Sequence, residues 1–85
     1  MKIRVKDYDD RNLIGRRTEN LRKARGIKQK DFIAQLQVAG LDINPTSYSK
    51  LEGQTRIATD KEVRVIAQVL GVPMEALFED VQENE

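Results

Sequence analysis

Four glycines, at positions 26, 40, 53 and 71, cut the chain into stretches of helical length, and this punctuation limits the fold more than any other feature. Glycine weakens a helix interior and is common just past a helix end, so each stretch holds one helix that stops at its glycine. Within the stretches the apolar residues recur three and four apart, the helical period, rather than alternating. Start signals agree with the stops. Asn44-Pro45 sets a good cap before a proline suited to the first helical position. Thr59-Asp60-Lys61-Glu62 reads as a capping box, with hydroxyl and carboxylate each bonding the other residue's backbone N–H.

This frame predicts five helices. The first runs from about residue 11 to 25, with Ile14, Thr18, Leu21 and Ala24 or Arg25 on one face and Asp9 or Asp10 as its cap; Thr18 stands where an aliphatic is expected. Glu19 and Lys23 form an i,i+4 pair in the favourable order. The second starts at Lys28 or Gln29, buries Phe32, Ile33 and Leu36, and extends through Val38 or Ala39; a loop, Leu41-Asp42-Ile43, follows. The third occupies about 45–52, with Tyr48 and Leu51 turned inward. The fourth carries Val63, Ile66, Ala67 and Leu70. Pro73 opens a short fifth helix from Met74 to about Glu79. Residues 1–10, with Ile3 and Val5 in alternation before Asp7, Asp9 and Asp10, read as an arm or a short strand, and residues 81–85 as an acidic tail. Residues 11–80 show no strand pattern, internal repeat or glycine-rich phosphate loop.

Composition narrows the function. With 85 residues the chain holds one domain with a modest core, which dimerisation would stabilise. It has no cysteine and no histidine. A disulfide framework, a thiolate metal site and every Ser-His or Cys-His arrangement are therefore absent, and the expectation is a non-enzyme without cofactor or metal. No apolar run is long enough to span a bilayer, and Met1-Lys2-Ile3-Arg4-Val5-Lys6 interleaves charge with apolar residues unlike a secretory leader; a cytoplasmic location is expected. The net charge of +1 conceals a division. Residues 1–30 hold eleven Lys/Arg against four Asp/Glu, and residues 31–85 hold four against ten, giving +7 and −6. A basic half opposite an acidic half suits a polyanion-binding surface, although basic helices are also simply soluble.

The order of residues along the helices carries a resemblance. Ile14-Gly15, Leu21-Arg22 and Gly26-Ile27-Lys28-Gln29, then Tyr48-Ser49-Lys50-Leu51-Glu52-Gly53, then Thr59 to Leu70 with Gly71-Val72-Pro73 and Leu77-Phe78, together resemble the Cro/CI-like (XRE-type) helix-turn-helix family over residues 12–79. The resemblance implies an all-α, five-helix, lambda-repressor-like DNA-binding domain over residues 11–80. It implies a bacterial or phage transcription regulator, expected to be a repressor that binds double-stranded DNA as a homodimer. The third helix matches the recognition helix, which enters the major groove. Pro45, Thr46, Ser49 and Lys50 then face DNA, with Lys50 suited to guanine and the Thr46 methyl to thymine. Gln29 matches a residue that touches phosphate and braces the recognition helix, with Lys28 beside it. Gln54, Thr55 and Arg56 match a phosphate-binding loop that uses backbone and side-chain donors, Arg56 being the strongest. Arg22 and Glu52 match a structural ion pair. Met74, Phe78 and Val81 are the dimer candidates, with core closure the alternative for Phe78.

The chain also departs from that pattern. The stretch from Gln29 to Glu52 is longer than in compact phage repressors by roughly one helical turn and a residue or two. Residues 36–43 carry the excess, which predicts an extended second helix and a longer turn. Gly53 sits one position early and Gln54 stands where the family has glycine. The third helix lacks the Gln, Asn and Arg that read bases bidentately, so phosphates and DNA shape should carry a larger share of recognition. Two alternatives remain: the antitoxin of a toxin–antitoxin pair, or a protein-interaction module that has lost DNA binding.

Overall fold

Caps and stops place four α-helices and a 3-10 helix in the computed structural model, which describes residues 12–79. They are α1 (Gly15–Ala24), α2 (Gln29–Val38), α3 (Pro45–Glu52), α4 (Asp60–Leu70) and the 3-10 helix (Met74–Phe78). The expectations for Ile3, Val5, Asp9, Asp10, Arg11 and Val81 fall outside the described residues. Among the described residues there is no strand, and no helix is long and apolar enough to cross a membrane. Asn44 accepts from the Ser47 N–H at 2.8 Å ahead of Pro45. At α4 both arms of the capping box form, Glu62 N–H to Thr59 at 3.2 Å and Thr59 N–H to Glu62 at 2.9 Å.

The helices enclose one core. Ile14, Phe32, Leu36, Tyr48, Leu51, Ile66 and Leu77 are fully buried within it. Each such aliphatic or phenyl group contributes about 1.5–3 kcal/mol through lost water contact. The rings of Phe32 and Tyr48 meet edge to face, centroids 5.7 Å apart, which joins α2 to α3 at the centre. α3 packs on both α1 and α2, while α4 backs α1, α2 and the 3-10 helix. One face of α3 is thereby buried and the other left to solvent.

Two local expectations change, the start of the first helix and the type of the fifth element. α1 begins at Gly15 rather than near Arg11, because the Asn12 side chain accepts the Gly15 N–H at 3.0 Å and turns the chain into the helix there. Gly15 is required by proximity: a Cβ would lie 2.2 Å from the Leu51 carbonyl oxygen, so the start of α1 rests directly on the end of α3. α2 ends at Val38, where the sequence places its end, with Val38 itself 89% exposed, and the surplus residues form the loop that follows. That loop is anchored, since Leu41 and Ile43 both enter the core with Asp42 outward between them. The Gln37 amide donates to the Ile43 carbonyl at 2.8 Å. Finally, the fifth element is a 3-10 helix. Pro73 leads into it and accepts from Ala76 N–H at 2.9 Å, an i to i+3 bond. Leu77 closes the core while Met74 and Phe78 stay half exposed. Arg17 ties this helix to α1 through the Ala76 carbonyl (3.1 Å) and Glu79 (3.0 Å).

All four α-helices close with the same pair of backbone bonds. At α3 these are Gln54 N–H to Leu51 O (3.1 Å) and Thr55 N–H to Lys50 O (3.0 Å). The residue in the left-handed position is a glycine in the other three helices, such as Gly71 at φ 74°, but at α3 it is Gln54 at φ 60°.

Thr18 is fully buried on α1, and its hydroxyl has no partner among the described residues. An unpaired buried hydroxyl opposes folding, and valine preserves its shape. Thr18→Val should therefore raise stability by about 1 kcal/mol, read as a higher urea midpoint with an unchanged slope.

Candidate nucleic-acid interface

The exposed face of α3 is held from behind by one buried carboxylate. Glu52, at the last turn of α3, accepts from Arg22 Nε at 2.7 Å and Arg22 Nη2 at 3.3 Å. It also accepts from the Tyr48 hydroxyl and from Gln29 Nε2, the latter at 3.2 Å. The remaining Arg22 nitrogen, Nη1, donates to the Ile27 carbonyl at 2.7 Å. Arg22 and Glu52 are thus brought together as an ion pair, with side chains only 8% and 5% exposed. The hydrogen bond to Glu52 holds the Arg22 guanidinium above its ordinary pKa, against the opposing effect of burial. Burial first, and then the bond to Glu52, push the Tyr48 phenol up, so it stays a donor.

On the outer face, Pro45, Thr46, Ser49 and Lys50 are all exposed, as is Lys28 beside the start of α2. Gln29 joins the two helices. Its amide nitrogen donates to Glu52, and its oxygen accepts from the Ser49 hydroxyl at 3.3 Å. Lys28, Gln29 and Ser49 therefore share one surface, with Lys50 next to Ser49 on α3. These groups offer ammonium, amide and hydroxyl donors beside the first-turn N–H groups of α2, which its N-cap residue Lys28 does not cap, a setting that attracts anions.

The expected phosphate loop is arranged differently. The N–H groups of Gly53, Gln54 and Thr55 all bond carbonyls of α3, which closes the helix and leaves none of them for an outside anion. The Gln54 side chain turns inward, Nε2 donating to the Asn12 carbonyl at 3.0 Å. The Arg56 guanidinium is bonded within the protein and braces the segment after α3. Nε donates to the Ser47 carbonyl (2.9 Å), Nη1 to the Ile57 carbonyl (2.7 Å) and Glu62 (3.0 Å), and Nη2 to Glu62 (2.8 Å). A guanidinium has five N–H donors, so little of this one remains. Thr55 is exposed, its hydroxyl 3.3 Å from the Lys50 carbonyl, and these two residues supply the outward-facing groups at this end of α3. Of the dimer candidates, Met74 and Phe78 are each 49% exposed, whereas Val81 lies outside the described residues.

Sequence reasoning did not find Asn12. It is 1% exposed, and besides capping Gly15 its amide donates to the Leu51 and Arg56 carbonyls at 2.9 and 3.0 Å. An asparagine three residues ahead of a glycine is a weak turn signal, and nothing local marks its two distant partners. No protein-family profile, curated protein or solved structure matches this chain.

Removing one side of a buried ion pair strands the other charge. Arg22→Met should lower stability by about 3 kcal/mol, and adding Glu52→Gln should restore part of it; urea denaturation of the single and double variants checks this. Glu62 supplies a pH test. Burial alone would push its carboxyl up, but the bonds from Arg56 and the Thr59 N–H outweigh burial and hold it below the usual carboxylate range. A carboxyl lowered by folding stabilises above its unfolded pKa, and the contribution is lost as pH falls through the folded value. Stability should thus decline as pH falls through and below the ordinary carboxylate range, with a flatter acid profile for Glu62→Gln in urea midpoints.

Proposed function

We propose that this protein is a sequence-specific DNA-binding regulator of the Cro/CI-like helix-turn-helix type, with α3 in the major groove. The observation that carries the reading is the two-sidedness of α3. Its inner face is buried and bonded, while Pro45, Thr46, Ser49 and Lys50 project outward beside Lys28 and Gln29. A groove-entering helix needs this combination: a fixed orientation and exposed short or cationic side chains at its leading end.

In the proposed mechanism, Lys28 and Gln29 engage phosphate at the start of α2, and Lys50 with Thr55 does so at the far end of α3. Thr46 and Ser49 meet base edges, and Lys50 reaches guanine when the sequence provides it. With few bidentate readers, groove shape and backbone contacts supply much of the discrimination. A dimer on an operator would act as a repressor by excluding polymerase. The half-exposed Met74 and Phe78 support a second copy as the partner across the 3-10 helix. The lambda-repressor-like arrangement belongs to this reading.

The test is binding to random-sequence duplex DNA across a salt series, followed by selection of bound sequences. Affinity should fall steeply with salt, and Lys28→Gln with Lys50→Gln should reduce the log–log slope by roughly two. A palindrome should emerge from selection, as expected of a dimer. A chain that binds no duplex at low salt would overturn the reading in favour of a protein-interaction module. Phe78→Glu should yield monomers by light scattering while remaining folded.

A further inference from the structure

We propose that Asn12 is a positioning residue for α3, and that together with Gln54 it sets the angle at which this helix reads DNA; the inference rests on the DNA-binding reading above. The end of α3 is attached to α1 at two separate points. One is the Glu52 side chain, gripped by Arg22. The other is the Leu51 carbonyl, gripped by the Asn12 amide at 2.9 Å. α3 is held elsewhere by Gln29, by Arg56 at the Ser47 carbonyl and by its buried face, and the tie at Leu51 narrows the range of angles left to its C-terminal end. The same amide holds the Arg56 carbonyl at 3.0 Å, so it also closes the neck of the loop that leaves α3.

Asn12 uses both of its amide hydrogens and is almost without solvent, 1% exposed. Its side-chain oxygen accepts from the Gly15 N–H, both amide hydrogens are used, and its own carbonyl accepts from Gln54 Nε2 at 3.0 Å. The packing beside it is tight, since a Cβ on Gly15 would lie 2.2 Å from the Leu51 oxygen. Gln54 returns the contact from a left-handed backbone, φ 60°, that glutamine seldom adopts. Such a conformation persists where the surroundings hold it in place, and the bond to Asn12 is the side-chain contact that holds it here. The result is a reciprocal clasp between the entry to α1 and the exit from α3.

The test uses the full chain and two duplexes: one recovered by selection from random-sequence DNA, and a scrambled version of the same composition. The readout is the ratio of the two affinities. A variant that is merely less folded loses the same factor on both duplexes, because only the competent fraction changes. A variant whose α3 is free to tilt loses discrimination. Asn12→Ser keeps an acceptor for Gly15 but cannot span both carbonyls, and Gln54→Met removes the returning bond at similar size. Both should lower the ratio by roughly tenfold. If Asn12→Ser does not fold, Gln54→Met decides alone. A ratio equal to wild type, with both affinities shifted together, overturns the clasp and leaves the DNA reading intact. A wild-type chain that prefers no duplex overturns both.

Discussion

The carboxylate of Glu52 is the interaction on which the rest of this structure depends. It sits in the last turn of α3, almost without solvent, and receives donors from three helices: Arg22 from α1, Gln29 from α2 and Tyr48 from α3 itself. A buried charge is tolerated only when it is paired and hydrogen-bonded. The surrounding fold meets that requirement and gains directionality, because each donor fixes an angle as well as a distance. Apolar packing between short helices leaves their relative rotation adjustable, whereas converging bonds on two oxygens do not. Tyr48 links this polar centre to the core through its ring against Phe32.

A second ion pair repeats the principle. Arg56 and Glu62 join the segment after α3 to the start of α4, and Arg56 Nε reaches back to the Ser47 carbonyl. Glu62 also belongs to the capping box of α4. The same carboxylate therefore starts one helix and steadies another. Long polar side chains thus bond α3 at Glu52 and at the Ser47 carbonyl, and its buried face packs in the hydrophobic core.

Much of this was legible in the sequence wherever the determinant is local. The helix starts at Asn44 and Thr59, the stops after α1, α2 and α4, and the inward turn of Tyr48 and Leu51 follow from caps, glycines and period. Boundaries and partners set by distant contacts were less accessible. α1 starts late because Asn12 and Gly15 answer to Leu51, residues far along the chain. The surplus after α2 became an anchored loop because Leu41 and Ile43 find the core, a fact hidden in a stretch too short to show a period. In the candidate site, the Arg22–Glu52 partnership came from resemblance and is present as a bonded pair. The internal partners of Arg56 were not legible: a basic residue in a loop looks like an anion ligand, and only the fold brings its carboxylate partner, Glu62, against it.

The exposed strip of α3 has a separate consequence for change over time. Among the described residues, the side chains of Thr46 and Lys50 make no bond to the rest of the protein, and Pro45 needs only its place after Asn44. Ser49 alone is tied inward, through Gln29. Positions 46 and 50 can accordingly drift to other residue types with little consequence for folding, while 49 is constrained by its neighbour. A scaffold built this way separates inheritance of shape from innovation at the surface. In the proposed DNA-binding role, descendants acquire new preferences through the codons for 46 and 50, with the buried carboxylate and its partners passed on unchanged.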